Sequence, residues 1–346
     1  VSVTIFHGDC RTILPTLAAG SAQCCVTSPP YFGLRDYGHA AQIGLEPTLD
    51  AYVAEMVGVF REVRRVLRED ATLWLNIGDI YARPAAKGGS GLGGKNRDAY
   101  GSSERADVPD GCKAKDLLMV PAMVALALRA DGWFLRSDII WHKPNPMPES
   151  VTDRPTSAHE HVFLLSKSGR YSYNADAVRQ PASDSLVSQV NAGYAGTDTK
   201  DYAANAAQSA SGTKTQIIAG ARAKIDKQRG HARRHDGFNG RWDAMSKAEQ
   251  QLLGSNARNV WTIATQSFSG AHFATMPPEL AERCIKAGSR PGDTVLDPFG
   301  GAGTTGLVAD RLGRSATLIE LSADYGVLAH DRIVGDGSLL ASVTTV

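Results

Sequence analysis

Two consecutive prolines close a short apolar run: Ser28-Pro29-Pro30-Tyr31 follows Cys24-Cys25-Val26-Thr27, and this pairing constrains the chain more than any other feature. Each proline fixes φ and lacks a backbone N–H, so neither sits inside a sheet. The run must turn at its carboxyl end, which is where open α/β sheets hold their ligands. At that turn the chain offers the Ser28 hydroxyl, the freed carbonyl of Pro29 and the ring of Tyr31, with Pro30 completing the bend. Two acceptors beside an aromatic face suit a planar molecule with an exocyclic amine. A nucleobase is such a molecule.

The surrounding pattern supplies the sheet. Residues 1–6 alternate as a strand that stops at His7-Gly8-Asp9, and a helix over about 10–17 leads to the 24–27 strand. Between 49 and 68 the apolar residues Tyr52, Met56, Val59, Phe60, Val63, Val66 and Leu67 recur at three and four, the helical period. Residues 72–77 read as a buried strand ending at Gly78-Asp79. A helix is expected over 117–129, and strands near 133–141 and 161–166. Strands separated by helices imply βαβ units and a mostly parallel sheet. At 346 residues the chain accommodates one large domain and a smaller module.

Two stretches break this pattern. From 83 to 110, six glycines sit among Ser, Lys and Asp. Such a composition buries too little to order itself. It reads either as a linker or as a mobile loop that closes over a polymer substrate. From about 181 to 255 the chain turns to Ser, Ala, Asn, Gln and Thr, and then becomes basic. Between 220 and 241, Arg222, Lys224, Lys227, Arg229, Arg233, Arg234 and Arg241 stand against only Asp226 and Asp236, in a chain whose net charge is +1. This region is expected to be the second module.

A second motif lies near the carboxyl end. Thr294-Val295-Leu296-Asp297 runs as a strand into Pro298-Phe299-Gly300-Gly301-Ala302-Gly303-Thr304-Thr305, followed by a helical pattern over 307–312. Glycines there let the backbone pass close to a ligand at a helix N-terminus. A strand over 316–319 ends at Glu320, an acid placed to accept hydrogen bonds from a ribose diol. Gly301 to Gly306 also satisfies the GxGxxG of dinucleotide folds. Two details tilt the reading away from those folds: the nucleotide half closes the chain rather than opening it, and the double-proline turn supplies a base-binding surface that a dehydrogenase does not require.

The five cysteines are odd in number and lack CxxC spacing, which points to a reducing compartment without a zinc cluster. His231 and His235 lack a third ligand, so no metal site is expected. The start lacks a charged n-region and the apolar run 117–128 is broken by Pro121. The expectation is a soluble cytoplasmic protein without a membrane segment.

The two motifs, in this order, resemble those of the DNA amino-methyltransferases in their β arrangement. Members carry [D/N/S]PP[Y/F/W], matched by residues 28–31, ahead of a D-P-F-x-G-x-G-T-T motif, matched by residues 297–305. His7-Gly8-Asp9, residues 132–145 and 146–168, and Ala271-His272-Phe273-Ala274-Thr275-Met276-Pro277 are similar to further family segments.

The resemblance implies an α/β, Rossmann-like class I S-adenosylmethionine-dependent methyltransferase with a mostly parallel sheet and circularly permuted motif order. The catalytic half would span 1–180, an inserted target-recognition region 181–258, and the S-adenosylmethionine-binding half 259–346. It further implies a cofactor site of Asp9, Phe273, Ala274, Asp297, Phe299, Gly301, Gly303, Thr304, Thr305 and Glu320. Ser28, Pro29, Pro30 and Tyr31 would hold the flipped base, with Lys143, Arg229, Arg233, Arg234 and Arg241 on DNA. Double-stranded DNA is the implied partner, with a cognate restriction endonuclease as companion and a monomer or homodimer as the acting form.

Ser at the first motif position is commoner among the family's N4-cytosine enzymes, and Asp among its N6-adenine enzymes. Ser28 therefore favours cytosine, with adenine as the alternative and a catalytically inactive DNA-binding protein as a distant one. Methylation at cytosine C5 uses a cysteine nucleophile, usually one that follows a proline, and no cysteine here does.

Overall fold

The computed structural model describes residues 1–34, 36–39, 41–82, 108–109, 111–181, 244–246, 249, 254–266, 275–336 and 342–346. Phe273, Ala274, Arg229, Arg233, Arg234, Arg241 and nearly all of the 83–110 stretch lie outside them. The chain divides into two compact units, Val1–Ala177 with Arg258–Val346, and Val178–Ala257. Within the second unit an antiparallel bridge between Gln180 and Ser255 ties its two ends.

The first unit is an α/β sheet structure. Its described elements are, in order, β1 (Ser2–His7), α1 (Cys10–Ile13), β2 (Ala22–Thr27), α2 (Leu49–Val66), β3 (Leu67–Ile77), α3 (Val120–Ala130), β4 (Phe134–His142) and β5 (His159–Ser166). After residue 258 come β6 (Val260–Thr262), α4 (Pro278–Gly288), β7 (Thr294–Asp297), α5 (Thr304–Arg311), β8 (Ser315–Glu320), α6 (Ala323–Asp336) and β9 (Ser342–Thr345). The strands form one sheet in the order β6-β4-β5-β3-β2-β7-β8-β1-β9. Stretches from both ends of the chain therefore complete a single sheet.

Local chemistry accounts for the elements. The Thr48 side chain caps α2 by accepting from Ala51 N at 3.1 Å, with Asp50 in the first turn and Arg64 and Arg65 in the last. Its apolar face, from Leu49 through Tyr52, Met56, Val59, Phe60 and Val63 to Val66, is buried. Pro15 ends α1 early, so the helix expected over 10–17 becomes one α turn followed by a 3-10 turn at Leu14–Thr16. Every residue of β2 is buried, as befits a central strand covered on both faces.

The sheet is mostly parallel, but β5 runs against both of its neighbours, β3 and β4. The other strands end at one edge, and β5 begins there: Ile77 pairs with His161, and His142 with His159. From β2 the chain crosses through α2 to β3 on one side, whereas from β7 it crosses through α5 to β8 on the other. The paired β2 and β7 thus form the topological switch point, outside whose carboxyl ends α/β sheets bind ligands. Among the described residues no helix is long and apolar enough to cross a membrane.

Candidate active site

The switch point is held by a buried carboxylate. Asp297, the last residue of β7, accepts from Thr27 Oγ1 at 2.6 Å, from Thr305 Oγ1 at 2.7 Å and from the Phe299 N–H at 3.0 Å. Thr27 ends β2 immediately before Ser28, so one side chain ties the double-proline turn to the glycine loop and to the first turn of α5. Burial pushes the Asp297 carboxyl up to about 6, against the lowering effect of its three donors.

The glycine loop is fixed from the neighbouring strand. Gly301 N donates to Glu320 Oε2 at 2.7 Å, Ser322 N to Oε1 at 2.8 Å, and Gly300 N to the Ile319 carbonyl at 2.8 Å. Gly303 caps α5 at φ +75°, and a Cβ there would lie 2.8 Å from the Ala329 Cβ, so only glycine fits. Burial raises the Glu320 carboxyl, partly offset by the two backbone donors and the nearby His39 and His7. Among the described residues it forms no ion pair, and a carboxylate holding two donors keeps lone pairs for two more. That spare capacity fits a ribose diol.

Asp9 lies at the same edge, one residue beyond Gly8, whose N–H bonds the Glu320 carbonyl at 2.9 Å. Its carboxylate caps α1 and is gripped by Arg11 at 2.6 Å, while Arg11 also reaches Glu55 and the Ala41 carbonyl. Burial pulls the Asp9 carboxyl upward, but Arg11 wins and holds it below the ordinary value.

The double-proline turn meets the sheet through Tyr31. Its phenol donates to Glu160 Oε2 at 2.6 Å and lies 3.3 Å from Ser28 Oγ. Burial, then the Glu160 carboxylate, pushes the phenol well above its ordinary pKa, so it remains a neutral donor. Asn76 Nδ2 donates to the same Glu160 oxygen at 3.0 Å, and Lys143 Nζ donates to the other. The Pro30 carbonyl is taken by the Tyr52 hydroxyl at 2.9 Å, whereas that of Pro29 has no protein donor among the described residues. Ser28 Oγ and the Pro29 carbonyl therefore remain as acceptors beside a ring.

Residues 22–330 match the N6_N4_Mtase family model, described as DNA methylase. The chain belongs to this family of DNA methylases. The methylase is 41% identical over 335 residues to the type II methyltransferase M.XycI of Xanthomonas campestris pv. cyanopsidis, covering 97% of this chain and 89% of that one. It is 40% identical to the type II methyltransferase M.SmaI of Serratia marcescens, covering 96% and 91%. Among solved structures, PvuII DNA methyltransferase (cytosine-N4-specific) shares the fold at a TM-score of 0.57 and 17% identity, over 99% of this chain and 96% of that chain. A putative DNA modification methylase from Thermus thermophilus, complexed with S-adenosyl-L-methionine, does so at 0.55 and 23%, over 99% and 98%.

Three residues packed about the double-proline turn escape a reading by motif: Glu160, Asn76 and Gly78. Glu160 sits second in β5, so a search after strand ends passes it by, and His159-Glu160-His161 reads only as the start of a strand. Lys143, expected on the DNA backbone, pairs with Glu160 and lies 4.6 Å over the Trp141 ring. Burial pushes the Cys10 and Cys24 thiols up to about 12, so neither offers a thiolate.

Gly78 makes room for the Tyr31 ring: a Cβ there would lie 2.7 Å from Tyr31 Cε2. Gly78→Ala should push the ring aside at a cost of about 1–3 kcal/mol, lowering single-turnover methylation about 10- to 100-fold. Unchanged turnover would show that the ring tolerates displacement.

Proposed function

We propose that this methylase transfers a methyl group from S-adenosylmethionine to the exocyclic N4 amine of a cytosine flipped out of duplex DNA. The observation that carries the reading is the pair of open acceptors, Ser28 Oγ and the Pro29 carbonyl, tied through Thr27 and Asp297 to the glycine loop. Glu320 and residues 297–305 would hold the donor, with Asp9 at the same edge. Bound S-adenosylmethionine supplies an electrophilic methyl group on a sulfonium.

The target amine is inaccessible within a stacked pair, so the base must leave the helix. Stacking on the Tyr31 ring returns about 1–3 kcal/mol of that cost. Ser28 Oγ and the Pro29 carbonyl accept the two amine hydrogens, which enriches the nitrogen and leaves its lone pair out of the hydrogen-bonding plane. Direct transfer needs no covalent nucleophile, so positioning and electrostatics are what the site contributes.

Serine at position 28 supports cytosine over adenine. Incubation with labelled S-adenosylmethionine and duplex DNA, followed by nucleoside mass spectrometry, should yield N4-methylcytosine. N6-methyladenine would overturn the choice of base, and absence of label would overturn the reading itself.

The basic block at 220–241 is assigned to DNA, mainly to phosphates, with Arg233, Arg234 or Arg241 as readers of guanine edges. The double variant Arg233→Ala/Arg234→Ala should weaken duplex binding and flatten the slope of log K against log salt by about 1 for each of the two that contacts a phosphate. An unchanged slope would return the block to an ordinary solvated surface. The type II names of the relatives support a cognate restriction endonuclease as companion.

A further inference from the structure

A serine hydroxyl is an ambiguous tool for holding an amine. It accepts through its lone pairs, but its own hydrogen can turn toward the amine nitrogen and tie up the electrons the reaction needs. The neighbourhood of Ser28 removes that ambiguity. Glu160, from β5, accepts the Tyr31 phenol at 2.6 Å, and a carboxylate paired with Lys143 is an acceptor only. The phenol has one hydrogen, and the charged oxygen outcompetes the Asn76 Oδ1 at 3.5 Å for it. The phenol oxygen can then only accept, and the Ser28 hydroxyl is 3.3 Å away. Asn76 Nδ2, bonded to the same Glu160 oxygen at 3.0 Å and to the His161 carbonyl at 3.2 Å, holds the carboxylate in place.

We propose that Glu160 is a positioning residue that, through Tyr31, draws the Ser28 hydrogen away from the substrate and makes Ser28 Oγ purely an acceptor. The inference rests on the amine-holding role assigned to Ser28 above. A carboxylate at position 28 would carry no such hydrogen, so the device belongs with a serine.

Glu160→Gln tests it with little change of shape. Lys143 holds the amide oxygen on its own side, which turns the amide nitrogen toward Tyr31 and reverses the direction of the chain. In the 346-residue chain kcat should fall about 30-fold, while KM for DNA and the affinity for S-adenosylmethionine stay within about threefold. Tyr31→Phe, which keeps the ring, should lose a similar factor, and the double variant should be no worse than Tyr31→Phe alone to within about threefold. Multiplying losses would overturn the proposal, as would a defect confined to KM or cofactor affinity. A wild-type kcat in Tyr31→Phe would overturn it whether or not the Glu160 variant folds. Absence of transfer by the wild-type protein would instead count against the role of Ser28.

Discussion

Ser28→Ala is expected to lower methyl transfer about 10³-fold while S-adenosylmethionine still binds. The hydroxyl sits at the carboxyl end of β2 and, among the described residues, makes a single bond, to Tyr31. The neighbouring Thr27, which shapes the glycine loop through Asp297, keeps its 2.6 Å bond in the variant. The loss should therefore fall on kcat, as expected for an interaction that matters most as the amine becomes a nucleophile. Labelled-methyl transfer gives the rate, and calorimetric titration with S-adenosylmethionine gives the affinity. Turnover within about tenfold of wild type would remove the hydroxyl from the reaction, because a group of this kind is worth about 10²–10³. A hundredfold loss of cofactor affinity would mean that the change had reached the glycine loop instead.

How far such a site can be read from sequence depends on whether its parts follow strand ends. Ser28-Pro29-Pro30-Tyr31 and residues 297–305 do, and prolines and glycines punctuate them, so both turns were legible. The long helix α2 was legible because seven buried residues repeat at its period. The pairing of β2 with β7 was not, since nothing local records that residues 270 apart are neighbours. The antiparallel course of β5 was also hidden, and with it Glu160, which reaches the site from the start of a strand. Asn76 reads as one polar residue in the apolar run 72–77, and only the register with Val162 and His161 aims it at Glu160. The role of Gly78 depends on the Tyr31 ring packed over it, a contact across 47 residues that leaves no pattern in the chain.

The second large effect is expected at Asp297. Its carboxyl is pushed up to about 6 by burial, against an ordinary value of 3.8. The folded form thus holds the proton more tightly than the unfolded form. The resulting stability is fully present below about pH 4 and is lost as pH rises through about 6, a change of about 3 kcal/mol. Asp297→Asn removes the titration yet keeps an acceptor for Thr27 and the Phe299 N–H, and Thr305 can turn to the Val26 carbonyl at 3.2 Å. Urea unfolding across pH 4–7 should show wild type losing about 2 kcal/mol relative to this variant as pH rises; parallel curves would discard the assignment. Asp297→Leu is a different case. It leaves the buried Phe299 N–H and Thr27 hydroxyl without their acceptor, at about 1–3 kcal/mol each. The loop that Asp297 shapes should then lose S-adenosylmethionine affinity about 100-fold, while the Asn variant stays within about tenfold of wild type. Equal binding by both would mean that Gly303 and Glu320 shape the loop unaided, and that the Asp297 charge serves the turn at Ser28 alone.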